Sequence, residues 1–300
     1  MNNKIKVSVV GGSGYTGIEL LRLLSLHPNV DIHHITSRND AGSYVYEVYP
    51  SLRGVLNHKF ISPDEIDLKE SNLVFFATPN GVAMEYAEDL INNGIKVIDL
   101  AADFRIKNIK EWEKWYEMPH KCPDILAKAV YGLPEVNREK IKNAQLIANP
   151  GCYPTAIQLA LIPLLKEGLI DPLSIIADAK SGISGAGKKN NADFLMSEAS
   201  ENFKAYSLTG HRHQPEIEEK SDSKQYRVLA RRYRPRTFED LRATIQANTG
   251  SMKETDAAFQ NILDFTKTTT FQIEDVTKAF IERGEKSRDL NAYITEDFSN

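Results

Sequence analysis

The chain has 300 residues, enough for about two domains at roughly 150 residues each, and its 41% hydrophobic and 26% charged residues are typical of a globular protein. Its net charge of −4 gives no reason to expect a nucleic acid or an anionic membrane as partner. No apolar run approaches the roughly 18 residues of a membrane span, and two cysteines do not make a disulfide framework, so we expect a cytoplasmic protein without a membrane partner.

The first 150 residues alternate between strand and helix patterns, as parallel α/β domains do. Continuous apolar runs predict strands covered on both faces at 4–10, 30–36, 73–77, 96–100 and 146–148. Helical periodicity predicts helices at 17–26 and 81–92, and beyond the glycine at 151 a helix at 155–167 is followed by a strand at 174–179.

A glycine turn joins the first strand to the first helix. Its GxxGxxG spacing allows a tight turn, a close backbone approach to a pyrophosphate, and helix amides aimed at the anion. The alternative is a plain turn, but the position after the first strand favours a dinucleotide site in a Rossmann-type, doubly wound parallel sheet. The residues predicted to bind the cofactor here are Gly11, Ser13, Gly14, Tyr15, Thr16 and Gly17.

The end of the second strand predicts which dinucleotide binds. An NAD site usually places Asp or Glu there to hold the ribose hydroxyls. This strand instead runs into Ser37 and Arg38, a hydroxyl and a guanidinium that suit a 2′-phosphate, which favours NADP. The alternative is that Arg38 is a solvated loop residue.

Cys152 lies between a strand and a predicted helix, where unpaired amides and the helix dipole lower the pKa of a thiol and can receive an oxyanion. We predict that it is a nucleophile. The alternative role, that of a small buried hydrophobe, is assigned to Cys122, unless Cys122 lies in a surface loop.

Two imidazoles follow at His211 and His213, close to Glu216. A catalytic thiol needs a base within reach, and either histidine can serve. No metal is expected, because no further ligand cluster has the right spacing, and the remaining histidines are interpreted as structural or solvated: His27, His33, His34, His58 and His120. A cationic glycine loop around Lys180 and Ser181 suits a phosphate or carboxylate, or is a plain hairpin.

The combination of these motifs resembles the N-acetyl-gamma-glutamyl-phosphate reductase family. The resemblance rests on the glycine turn and on DLAADFR at 99–105, YGLPE at 131–135, NPGCYPT at 149–155, KSGISGAG at 180–187 and GHRHQPE at 210–216. It implies NADPH-dependent reduction of an acyl phosphate to a semialdehyde in arginine biosynthesis, through a thioester on Cys152, by a homo-oligomer. It also implies cofactor contact at Pro79 and substrate contacts at Arg105, Lys180, Ser181 and Glu216.

The resemblance ends near residue 220, which predicts three parts: a dinucleotide-binding domain (1–148), a truncated α+β catalytic domain (149–220) and an unrelated tail, helical or disordered (221–300). Residues 225–241 resemble the N-terminus of the bacterial DNA polymerase III gamma/tau subunit, and residues 270–300 that of the amidase subunit of the glutamyl-tRNA amidotransferase. The basic run at 224–242 is interpreted as a solvated face, so nucleic acid is not expected. The alternative function is a catalytically impaired, truncated or chimeric product that retains only nucleotide binding.

Overall fold

The protein is described here by a computed structural model that covers residues 4–171, 175–188, 190–200, 202–207 and 210–220. The predicted tail at 221–300 lies outside these residues. Within the described part, no helix has the length and apolar character needed to cross a membrane.

Six parallel strands form one sheet in the described part, in the order β2-β1-β3-β4-β6-β5. The strands are β1 (Ile5–Val10), β2 (Val30–Ile35), β3 (Leu73–Phe76), β4 (Lys96–Asp99), β5 (Val130–Tyr131) and β6 (Leu146–Ala148). The order confirms the predicted doubly wound sheet.

The helices are α1 (Tyr15–Ser25), α2 (Val45–Val48), α3 (Val82–Asn92), α4 (Ile109–Tyr116), α5 (Pro123–Leu126), α6 (Pro134–Asn143), α7 (Cys152–Lys166), α8 (Met196–Ala199) and α9 (Gln214–Lys220). Both faces of the sheet are covered. One apolar cluster packs α3, α4 and α5 against β3 and β4, and a second packs α1 against β1 and β2. This two-sided burial explains why β3 and β6 are apolar throughout rather than alternating.

The topology places the chemistry-bearing loops together. The chain passes from β1 to β2 on one side of β1 and then crosses to β3 on its other side, so the glycine turn after β1 lies at the switch point where such sheets bind ligands. The strands are parallel, so the loops after β3, β4 and β6 lie along the same carboxyl edge.

Two expectations from the sequence need correction. The helix predicted from residue 155 begins at Cys152, which makes the cysteine its first residue. In the strand predicted at 174–179, the described residues 175–179 have no regular secondary structure, and the described residues after 152 contain no strand.

Candidate functional site

The nucleotide turn is shaped by the absence of side chains. Gly11 has a φ of +83°, and a Cβ there would lie 2.5 Å from the Ala77 carbonyl oxygen. A Cβ on Gly17 would lie 2.5 Å from the Gly11 carbonyl oxygen and 2.8 Å from the Gly12 backbone. Helix α1 therefore packs on the turn at a distance that only glycine permits, which brings its amino end to the edge of the sheet.

The turn also leaves polar groups free. The amides of Ser13, Tyr15 and Thr16 have no hydrogen-bond partner among the described residues, and the N-cap Gly14 offers no side chain. The hydroxyl of Thr78, directly after β3, is buried and equally without a partner in this part of the chain. Free amides at a helix amino end suit a pyrophosphate, so the described residues fit a dinucleotide.

The end of β2 is tied to this turn by hydroxyls. The Ser13 and Ser37 hydroxyl oxygens lie 2.7 Å apart, and the Ser37 hydroxyl donates to the Asp40 carboxylate at 2.9 Å. Arg38 is exposed. The acidic side chain of Asp40, which the motif reasoning missed, therefore lies beside the residues predicted to select the cofactor.

A cleft of about 440 Å³ opens at the turn, and the lysine of a distant loop lines it. The ammonium of Lys188 lies 5.4 Å from the Tyr49 ring centroid, and the Tyr49 hydroxyl donates to the Ser13 carbonyl at 2.5 Å. Neither residue was predicted, because both reach the turn from segments remote in sequence. Pro79, at the end of β3, is exposed.

Cys152 opens α7 and its side chain is exposed, whereas Cys122 is buried. The Cys122 thiol donates to the Met84 carbonyl, and burial raises its pKa to about 11. The Cys152 thiol has no hydrogen-bond partner among the described residues. Cys152 is therefore the thiol that solvent and substrates can reach.

Glu216 fixes the residue before the cysteine. Its carboxylate is fully buried, and Oε1 accepts from the Gly151 amide at 2.9 Å and lies 2.7 Å from the Tyr131 hydroxyl oxygen. Gln158, from the second turn of α7, joins this group with Oε1 3.0 Å from the same hydroxyl. Helix α9 thus holds the amino end of α7 by a buried charge.

Arg105 fixes the same loop from the other side. Its Nε donates to the Asn149 carbonyl at 2.7 Å and Nη2 to the Leu100 carbonyl at 2.8 Å, which joins the ends of β6 and β4. Its Nη1 lies 3.5 Å from Glu216 Oε2. The two side chains predicted to contact substrate therefore form a buried ion pair beneath the cysteine.

The two histidines lie together, with ring centroids 4.7 Å apart. A Cβ on Gly151 would lie 2.7 Å from His213 Nε2, so this imidazole borders the residue before Cys152. Burial, with the charges of Arg105 and Arg212, lowers the His213 pKa to about 3, so its ring is neutral at neutral pH. His211 accepts from the His213 amide and lies 3.5 Å from the Tyr206 hydroxyl.

Lys180 and Ser181 are exposed. The Lys180 ammonium pairs with Asp178 at 2.9 Å, and the Ser181 hydroxyl donates to the Gly182 carbonyl. No contact in the described part joins either residue to the ion pair of Arg105 and Glu216.

Two buried carboxylates, Asp99 and Asp103, lie at the carboxyl end of β4 and were not predicted as site residues. Asp99 accepts from the amides of Ala101 and Asp103, and Asp103 accepts from the Gly81 amide at the start of α3. Burial raises the pKa of both groups. They hold the loop after β4, from which Arg105 projects.

Comparison with known families agrees with this geometry. Residues 6–144 match the model of the semialdehyde dehydrogenase NAD binding domain, and residues 152–264 match that of the semialdehyde dehydrogenase dimerisation domain. The parallel sheet and the glycine turn agree with these two matches, which make the chain similar to the semialdehyde dehydrogenase class.

Within that class, the chain is a homologue of N-acetyl-gamma-glutamyl-phosphate reductases. It is 59% identical over 215 residues to that of Thiobacillus denitrificans, covering 72% of this chain and 63% of the relative. It is 58% identical over 213 residues to that of Nitrosospira multiformis, covering 71% and 62%. The chain thus spans less than two thirds of the length of these relatives, and the resemblance drawn from its motifs is confirmed.

Among solved structures, aspartate semialdehyde dehydrogenase II from Vibrio cholerae is similar to this chain, with a TM-score of 0.41 and 20% identity over 55% of this chain and 47% of that one.

Proposed function

We propose that this chain reduces N-acetyl-glutamyl 5-phosphate to N-acetyl-glutamate 5-semialdehyde and phosphate, with Cys152 as nucleophile and NADPH as reductant. The observation that carries the proposal is the exposed thiol at the first residue of α7, next to a glycine that the buried imidazole of His213 borders. It lies at the carboxyl edge of the sheet that also bears the glycine turn. The relatives named above are reductases of this substrate by their names.

The chain's own residues account for the acyl-transfer step. The Cys152 thiolate attacks the acyl carbon, the C–S bond forms, and the bond to the phosphate oxygen breaks as phosphate leaves. His213 Nε2 takes the thiol proton, with His211 as the alternative base. Burial and the charges of Arg105 and Arg212 lower the His213 pKa to about 3, which makes it a weak base until the negatively charged substrate lies beside it. The amides at the start of α7 stabilise the oxyanion of the tetrahedral intermediate.

The thioester is then reduced, and the bound dinucleotide supplies the hydride. Hydride addition leaves the hemithioacetal oxygen as an oxyanion; as this oxyanion re-forms the carbonyl, the C–S bond breaks, the aldehyde leaves and Cys152 returns as thiolate. The ion pair of Arg105 and Glu216 acts by holding the loop at 149–151 in place through these steps. Lys180 and Ser181 are exposed and available to an anionic substrate.

We further propose that the dinucleotide is NADP, with the free amides of Ser13, Tyr15 and Thr16 on the pyrophosphate and Arg38 on the 2′-phosphate. Ser37 and Pro79 line the same edge of the sheet. The match to a dimerisation domain supports a homo-oligomer. The division at residues 148 and 220 and the foreign origin of the tail stay predictions.

One observation favours the alternative, a product that binds the cofactor and does no chemistry: the chain spans about 63% of the length of its relatives. Binding and turnover must therefore be measured separately. The experiment follows phosphate-dependent NADPH formation from N-acetyl-glutamate semialdehyde, and NADPH binding by fluorescence, on the same preparation.

Turnover by the wild-type chain, abolished in Cys152→Ser with NADPH binding intact, is the expected result. Cys122→Ser is the matched control, because a serine hydroxyl can keep the hydrogen bond to Met84 and should leave turnover unchanged. Cofactor binding without turnover in the wild-type chain would establish the alternative. Turnover that survives in Cys152→Ser would contradict the nucleophile assignment.

A further inference from the structure

Strand β2 contains an irregularity that turns two histidines to one side. Its register against β1 pairs Val7 with Ile32 and Val9 with Ile35. Between these pairs the chain advances three residues along β2 but only two along β1. This extra residue is a β-bulge, and it lies at His33 and His34. In a regular strand, adjacent side chains point to opposite faces. Here the two rings lie 4.0 Å apart between centroids.

A carboxylate lies against both rings. Glu70 ends the short turn at Leu68–Glu70, directly before β3, and its Oε2 lies 3.2 Å from His33 Nε2 and 3.6 Å from His34 Nε2. One ligand atom from each residue can be chosen so that all three lie within 4.8 Å of one another. In a tetrahedral zinc site with bonds of about 2.05 Å, the ligand atoms lie about 3.3 Å apart, a value between the two distances from Glu70 Oε2 to the histidine nitrogens.

The ring nitrogens of His34 are available to a metal ion. Among the residues that the structure describes, neither buried ring nitrogen of His34 has a hydrogen-bond partner, since 3.6 Å to Glu70 is too long for a hydrogen bond. Burial and the nearby His33 and Lys6 lower the His34 pKa, against the opposing effect of Glu70. Lys6 is the opposing cation that a bound metal would meet.

We propose that His33, His34 and Glu70 form a binding site for a divalent transition metal of borderline softness, with zinc as the probe ion. Two imidazoles and one carboxylate are a donor set that such ions prefer, and water would fill the fourth position. The ion would link the edge strand β2 to the turn that precedes β3. The sequence predicted no metal because no ligand cluster had the right spacing. Adjacent strand residues normally face opposite sides of a sheet, and the bulge that brings these two together is not visible in the sequence pattern.

The test uses the full chain without a histidine tag, stripped of metal, in a Cys152→Ser background that removes the exposed thiol as a competing ligand. Zinc is titrated in competition with a chromogenic chelator. We expect one equivalent of zinc, and an affinity that falls about tenfold or more in Glu70→Gln and in His34→Gln. Cobalt in place of zinc should give the visible bands of a tetrahedral site in the parent protein and lose them in Glu70→Gln.

His27→Gln is the matched control, because this exposed imidazole lies on the loop before β2 and only accepts from the Asn29 amide. Its zinc affinity should equal that of the parent. Circular dichroism is used to check the fold of Glu70→Gln, which should be unchanged because the Glu70 side chain is exposed. Failure to bind zinc, or binding that is unchanged in both Glu70→Gln and His34→Gln, overturns the proposal; the second result would assign the ion to His211 and His213.

Discussion

The nucleotide turn and the nucleophile loop lie on the same sheet edge but are built by opposite means. The turn at 11–17 is shaped by missing side chains, since Gly11 and Gly17 let backbone approach backbone. The loop at 149–151 is shaped by two large charged side chains, Arg105 and Glu216, buried beneath it. One site is fixed by local conformation and the other by long-range contacts.

The difference has a consequence for stability and function. The close packing of the turn depends first on its own glycines, with Tyr49 and Ser37 as outer contacts. The nucleophile loop depends on residues 44 and 65 positions away in sequence. Substitutions in helix α9 should therefore alter the position of Cys152 through the loop at 149–151.

The largest expected effect is that of Glu216→Ala. The change leaves Arg105 as a buried charge without its partner and the Gly151 amide without its acceptor, so the free energy of unfolding should fall by roughly 3–5 kcal/mol. Denaturant unfolding measures this. Glu218→Ala, two residues along the same helix and bonded to Gln214 alone, should cost less than about 1 kcal/mol. Equal losses in the two variants would show that the buried pair does not hold the loop.

The turn is tested by Gly17→Ala. The new Cβ would meet backbone atoms of Gly11 and Gly12 at 2.5–2.8 Å, and backbone cannot rotate away as a side chain can, so we expect a loss of about 1–3 kcal/mol and weaker NADPH binding. Gly14→Ala is the control, because a Cβ there has no neighbour closer than 3.8 Å. If Gly14→Ala lowers the free energy of unfolding as much as Gly17→Ala does, close packing is not what shapes the turn.

The sequence predicted the locally determined half of the molecule well. Apolar runs placed five of the strands to within a residue or so, since Leu146–Ala148 is reproduced and β2 ends one residue early. The two-residue β5 was missed, because Val130 and Tyr131 are too few to show a period.

The candidate site was predicted as a set of residues but not as a geometry. The motifs named Arg105 and Glu216, yet spacing alone cannot show that they pair beneath Gly151. Tyr49 and Lys188 meet at the turn only because the fold joins distant segments. The bulge in β2 is likewise a property of the pairing with β1.

Smaller in effect is the pH dependence that His213 contributes. Its folded pKa of about 3 lies below the ordinary 6.5, so the unfolded chain binds this proton more readily. The stability it contributes is present above pH 6.5 and is lost as pH falls toward 3, at most about 2 kcal/mol between pH 7 and pH 5. His213→Gln should flatten the curve of unfolding free energy against pH in that window. Parallel curves for the variant and the wild type would contradict the buried, neutral imidazole.

The smallest effect concerns the cofactor. Arg38 is exposed and carries no ion pair within the described residues, so it is free to meet a 2′-phosphate, whereas Asp40 beside it accepts from Ser37 and could equally accept from ribose hydroxyls. If Arg38 recognises the phosphate, Arg38→Ala raises the Kd for NADPH roughly tenfold, about 1.4 kcal/mol, and leaves that for NADH unchanged. Arg138→Ala, the same charge change at an exposed position on α6, should alter neither. A variant that weakens both cofactors equally would mean that Arg38 acts only through its general charge. The discrimination would then rest with the Asp40 carboxylate, which favours the hydroxyl of NADH over a second negative charge.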